Sequence, residues 1–311
     1  MLLRWQADYE RDCPGLVRDA LSLIHTARRG LSESELLELL RPADLPKLPT
    51  AIWSPLRAAL DESLVERGGI LNFAHDYLRT AVQELFLPDL DTKDDIRLFL
   101  ADYFETLEPT PRSCDELPWL LFCTKSYKRL QGCLLEIDRF QLIFERDVDE
   151  LRRYWVKMKA QEIMSREYPL SFSAWEVATK PPDDRISNVA NDISLFFMEM
   201  GKHKEAEPLI RRALEINEMM YGPNDPEVAT LLNTLANILS VTNHMEEVEP
   251  LIRRAVRIYE TSYGQEHPII PTALHTLAIV LKDDNRMAEA EIINRRALEM
   301  NERIYGPDDP E

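Results

Sequence analysis

From about Ile186 to Glu311 the chain repeats itself at a fixed interval, and this periodicity limits its possible folds more than any other feature. The segment Glu205-Ala206-Glu207-Pro208-Leu209-Ile210-Arg211-Arg212-Ala213-Leu214 returns as Glu247-Val248-Glu249-Pro250-Leu251-Ile252-Arg253-Arg254-Ala255-Val256. It returns again as Glu289-Ala290-Glu291-Ile292-Ile293-Asn294-Arg295-Arg296-Ala297-Leu298, each copy 42 residues after the last. The turns keep the same step: Tyr221-Gly222, Tyr263-Gly264 and Tyr305-Gly306 are followed by Asp225-Pro226, His267-Pro268 and Asp309-Pro310. A unit of this length cannot bury an apolar face by itself, so successive copies must stack into a solenoid.

Each unit reads as two helices. In the second unit Asp225 can cap a helix that Pro226 opens, and a glycine closes the following helix where a left-handed residue is needed. In the first helices, Ala190/Leu232/Leu274, Ile193/Leu235/Leu277, Ser194/Ala236/Ala278 and Phe197/Leu239/Leu281 fall at offsets of three, four and seven, one buried stripe per helix. The second helices carry Ala206/Val248/Ala290 and Ala213/Ala255/Ala297, small residues on each side of Ile210/Ile252/Asn294, so that paired helices approach closely. Asn294 is a polar residue at an expected core position.

This alternation of small and large residues resembles the tetratricopeptide repeat. The 42-residue spacing with its Glu-Ala-Glu-Pro-Leu-Ile-Arg-Arg-Ala-Leu core and Tyr-Gly-Pro turn is similar to the kinesin light chain variety, longer than the common form of about 34 residues. The resemblance implies a concave groove, lined by the first helices, that binds a peptide from a partner. Groove positions carried over residue by residue are Asn188, Asn191, Leu195 and Met198, then Thr230, Asn233, Asn237 and Ser240, then Thr272, His275, Ile279 and Lys282. Asparagine carboxamides there would donate to a peptide C=O and accept from its N–H. The same polar residues also suit a solvated helix surface. His275 departs from the asparagine of its series, and the apolar Leu195 and Met198 leave room for the chain's own preceding segment at that end.

Composition narrows the partners. With 55 acidic against 37 basic residues the formal net charge is −18, which repels a phosphate backbone and favours basic or amphipathic peptides. No nucleic-acid partner is expected. Cys13, Cys114, Cys123 and Cys133 lack metal-ligand spacing and read as small hydrophobes in a reducing compartment. Charge interrupts the opening Met1-Leu2-Leu3-Arg4-Trp5, and no apolar run approaches membrane-spanning length, so a cytoplasmic protein without membrane attachment is expected. There is no H-E-x-x-H, no G-x-S-x-G and no glycine-rich dinucleotide turn. The expectation is a protein that is not an enzyme and uses no cofactor or metal.

The N-terminal part is helical too. Leu16-Val17, Ala20-Leu21, Leu23-Ile24 and Ala27 give a helix with an apolar face that ends at Gly30; Ser32 and Glu35 form a capping box for a second helix; Ser54-Pro55 would open a third. Leu64 to Phe73 reads as two short strands about Gly68-Gly69, the only hairpin signal in the chain. Three helices and a hairpin make a winged-helix pattern, so the fold class is all-α with one small β-hairpin wing. Residues 96–180 read as further helices, with Phe140 to Trp155 as one long segment, and Lys180-Pro181-Pro182 marks the next boundary. The expected division is a winged-helix-like domain at 1–88, a helical connector at 89–182 and the repeats at 183–311.

The stretch from Asp19 through Arg67-Gly68-Gly69-Ile70 to Phe73-Ala74-His75-Asp76 resembles the winged-helix domain of STAND-type NTPases of nephrocystin and NLR type. In that family a histidine in this context contacts the phosphate of bound ADP, and His75 matches its position. A histidine packed at a hairpin–helix junction fits the same residues. The family's G-x-x-x-x-G-K-[ST] phosphate loop is absent, since Gly201-Lys202 is followed by His203. Two roles follow: a scaffold that binds a protein or peptide in the repeat groove, or the sensor part of an NTPase switch whose nucleotide-binding core is not in this chain. Pro310-Glu311 stands where a fourth unit would start, so an uncapped last repeat is expected either to self-associate or to continue a longer array.

Overall fold

The computed structural model describes residues 1–11 and 13–306. Asp12, the third turn's Asp309-Pro310 and the expected fourth-unit start at Pro310-Glu311 lie outside the described residues. Two compact units divide the chain, Met1–Ile143 and Phe144–Glu311.

In the first unit the elements run α1 (Leu2–Tyr9), α2 (Leu16–Thr26), β1 (Leu31–Ser32), α3 (Glu33–Leu39), α4 (Thr50–Ala59), β2 (Leu64–Arg67), β3 (Ile70–Phe73) and α5 (Asp76–Phe86). Next come α6 (Leu90–Glu105), α7 (Pro111–Cys123), α8 (Tyr127–Leu135) and α9 (Ile137–Arg146), which crosses into the second unit. The hairpin forms with Val65 opposite Asn72 and Arg67 opposite Ile70. Leu31 and Ser32 add an unexpected third strand beside β3, giving the antiparallel order β1-β3-β2. Two residues are too few to show an alternating pattern, and Ser32 belongs equally to the capping box. That box is made: Ser32 Oγ accepts from Glu35 N–H, and the Glu35 carboxylate accepts from Ser32 N–H.

Two other expectations shift. Pro55 lies inside α4, which begins at Thr50 after Pro49, and the fully buried Trp53 anchors its first turns. The helix expected from Phe140 onward breaks at Asp147, whose carboxylate accepts from Glu150 N–H at 2.8 Å and caps a new helix, α10 (Val148–Lys157). Local side-chain capping outcompetes helix continuation there.

The turn between α2 and β1 is held from two sides. Gly30 has φ +94°, and a Cβ built on it would lie 2.1 Å from the Leu71 carbonyl oxygen, so only glycine permits this approach. The buried Glu116 carboxylate of α7 accepts from the backbone N–H groups of Arg28 and Arg29 at 2.7 and 2.8 Å. Arg112 donates to Glu116, to Glu35 and to the Gly30 carbonyl. Burial pushes the Glu116 carboxyl above its ordinary range, against the pull of Arg112 and these donors.

The second unit is a stack of helix pairs. After α10 and α11 (Gln161–Thr179) come α12 (Asp183–Glu199) with α13 (His203–Tyr221), then α14 (Pro226–Val241) with α15 (Met245–Tyr263), then α16 (Ile269–Asp283) with α17 (Met287–Tyr305). The turns work as the residues predict: Asp225 caps α14 by accepting from Glu227 N–H at 2.9 Å, and Gly222, Gly264 and Gly306 take positive φ at the helix ends. The expected stripes are buried in all three pairs, from Ala190, Ile193, Ser194 and Phe197 to Leu274, Leu277, Ala278 and Leu281. Helix α11 adds one layer before the first pair, its Tyr168 ring meeting Phe196 and Phe197 at 5.9 and 6.1 Å. Ile210 and Ile252 are fully buried, whereas Asn294 in α17 is exposed, so its amide is not buried in the core.

Candidate functional site

The first helices α12, α14 and α16 each bury an apolar stripe and leave a second row of residues toward solvent. Asn188, Thr230 and Thr272 are exposed; Asn191 and Asn233 are half-buried and His275 is exposed. One turn further, Leu195 and Asn237 are half-buried and Ile279 is exposed, followed by half-buried Met198 and Ser240 and exposed Lys282. The repeat step therefore places each of these series at one phase on successive first helices. Because α11 packs on Phe196 and Phe197, it leaves Leu195 and Met198 partly open.

Within this row the side chains differ in how free they are. Thr230 Oγ1 donates to the Pro226 carbonyl at 3.3 Å and lies 3.1 Å from the Tyr259 hydroxyl of α15. Tyr259, which sequence reasoning missed, is buried, and burial raises its hydroxyl pKa. Asn233 is the contrasting case: its Oδ1 is turned inward and has no hydrogen-bond partner among the described residues. A half-turn about χ2 would present either end of its amide outward without breaking a bond at that oxygen.

A second periodic feature runs along the second helices. Arg212 donates to Glu176 at 2.5 Å, Arg254 lies 2.6 Å from Glu218, and Arg296 pairs with Glu260. Each pair joins a second helix to the next, with α11 supplying Glu176 for the first. The recurrence of Glu218/Glu260 and Arg212/Arg254/Arg296 in the repeat was the available signal, but their 36-residue separation hid the pairing.

In the first unit His75 is exposed at the N-terminus of α5, makes no capping bond and stacks on Tyr77 at 5.3 Å. Among the described residues no grouping of His, Cys, Asp and Glu could hold a metal ion, and no helix is long and apolar enough to cross a membrane. Of the four cysteines, Cys114 and Cys133 are buried, and burial pushes the Cys133 thiol up to about 12.

Stacked helix pairs with small residues at their contacts and an open first-helix row define a tetratricopeptide-type α-solenoid. The chain belongs to the Nephrocystin-3 TPR domain family, whose profile matches residues 93–309. It is 29% identical to human nephrocystin-3 over 218 residues, covering 67% of this chain and 16% of that protein. Thus the chain spans about a sixth of the length of the curated relatives it matches. Among solved structures it is similar to BtubC (BKLC) from P. vanneervenii, with TM-score 0.46, 18% identity, and coverage of 76% of this chain and 87% of that one. Another is a STAND protein with a tetratricopeptide repeat sensor from Pyrococcus horikoshii, with TM-score 0.39, 13% identity, and coverage of 98% and 53%.

Proposed function

We propose that the repeat unit is a protein-interaction scaffold that takes a partner peptide along the first-helix row, with Asn188, Asn191, Thr230, Asn233, Asn237, Thr272, His275 and Lys282 as contacts. The observation that carries this reading is the inward-turned Asn233 oxygen, without a hydrogen-bond partner among the described residues, on a half-buried side chain in the middle of a row whose other members are half-buried or exposed. A peptide backbone supplies both a donor and an acceptor, so such a carboxamide reads extended chain without demanding a sequence. The chain's formal charge of −18 supports a basic or amphipathic peptide.

The test is affinity capture from cytosol with the wild-type chain and with Asn233→Ala/His275→Ala. Specific partners present with wild type and absent with the double variant are expected. Identical capture by both, or no capture by either, overturns the assignment.

A second reading concerns the first unit. The order α2, β1, α3, α4, β2, β3, with α5 starting after an exposed His75, supports a winged helix at 1–88 joined by a connector at 89–182 to the repeats at 183–311. In this reading the chain is the sensor part of a STAND-type switch, and His75 touches nucleotide phosphate only when an NTPase core is supplied. ADP binding by the chain mixed with such a core, unchanged in His75→Ala, would exclude the contact.

A further inference from the structure

The outer face of the β2–β3 hairpin carries Val65 and Arg67 on one strand and Ile70 and Asn72 on the other, paired Val65 with Asn72 and Arg67 with Ile70. Arg29, from the turn before β1, and Arg79, from α5, close this face into a pocket of about 290 Å³ that Phe73 and Ala74 also line. Asn72 is its hub. Its Nδ2 donates to the Arg29 carbonyl at 3.2 Å, while its Oδ1 accepts from Arg79 Nη2 at 2.6 Å and from Phe73 N–H at 2.8 Å. The Arg79 guanidinium also lies over the Phe73 ring, 5.4 Å from its centroid.

Charge is the unusual part. Three arginines from three separate elements line one small pocket, and among the described residues no carboxylate lines it. Arg29 pairs with Asp115, but that carboxylate is shared with Arg28. Arg79 is held by a neutral amide and an aromatic face, neither of which neutralises it. In a chain with 55 acidic and 37 basic residues, such a concentration of positive charge is not a product of composition. Like charges held together cost free energy unless an anion joins them.

We propose that this pocket binds a phosphate group carried on a small ligand. Guanidinium forks offered by Arg67 of the strand and Arg79 of the helix, with Arg29 beside them, would suit the several oxygens of a tetrahedral dianion better than the single plane of a carboxylate. The volume admits the phosphate and the first atoms of whatever bears it. The pocket lies within the first unit, and His75 is not among its lining residues.

The full chain is titrated at low salt with inorganic phosphate and with phenyl phosphate by calorimetry. In a second arm it is sedimented with phosphatidylcholine vesicles with and without phosphatidic acid. Saturable binding is expected that weakens about tenfold or more in both Arg67→Ala and Arg79→Ala, as loss of a charge-assisted contact requires. Arg67→Lys should lose less, and Arg257→Ala should bind as wild type. Arg67 is exposed on the hairpin, so Arg67→Ala keeps the test valid if Arg79→Ala melts early. Binding to phosphatidic acid vesicles but not to the free esters would assign the phosphate to a lipid headgroup. No saturable binding in either arm, or binding indifferent to both alanine variants, overturns the proposal.

Discussion

His25 illustrates what one residue can hide. It lies in the first unit at 7% exposure, edge-on to Phe73 with ring centroids 6.2 Å apart, and among the described residues neither ring nitrogen has a hydrogen-bond partner. Burial, followed by the positive charges of Lys93, Arg79 and Arg97, lowers its pKa to about 4. An unfolded histidine titrates near ~6.5, so between these values the unfolded chain takes up a proton that the folded chain refuses. The contribution of neutral His25 to stability is complete above about pH 6.5 and is lost as pH falls through the folded pKa, a change of roughly 3 kcal/mol. Thermal melts between about pH 7.5 and 4 should show this loss, and His25→Leu should flatten it; an unchanged slope in the variant would place the acid sensitivity elsewhere. In the sequence His25 is one position in an apolar helix. The charges that perturb it come from α5 and α6, more than fifty residues away.

At the scale of elements, the repeat units are legible because every unit carries its own instructions. Asp225, Pro226 and Gly222 act within a few residues, so their chemistry is local and their helix boundaries can be read directly. The Arg–Glu pairs joining successive second helices are not local. Their side chains are partly exposed, Arg254 at 30% and Glu218 at 32%, so each is worth under about 1 kcal/mol. A double-mutant cycle with Glu218→Gln and Arg254→Met should give a coupling of that size that shrinks at high salt. A coupling of several kcal/mol would mean that the pair organises the stack rather than decorating it. The same distinction explains the misread elements. Asp147 ended a helix because a cap formed, Pro55 sat within a helix rather than starting it, and β1 existed only because β3 was there to pair with it.

For the whole molecule, the telling surface is α17. Met287, Leu298 and Tyr305 are exposed at 57, 58 and 53% along the face that also holds Asn294. The equivalent Ile252 and Val256 of α15 are buried. Of the other apolar residues of this helix, Ile293 and Ile304 are half-buried, whereas Leu298 is open. If this face associates, size-exclusion chromatography with light scattering should show a mass that rises with concentration, and Leu298→Asp should abolish the rise. A wild-type chain that stays monomeric at every concentration would remove self-association as a role for the face.

What the sequence alone determined is the solenoid: the period, the capping residues and the buried stripes are short-range patterns, copied three times, and each copy checks the others. The tertiary structure alone decided which charges meet. The Arg29, Arg67 and Arg79 pocket, the Glu116 anchor and the environment of His25 join residues with no sequence pattern between them. Their electrostatics depend on distance in space and on exclusion of water, which the order of residues along the chain does not encode.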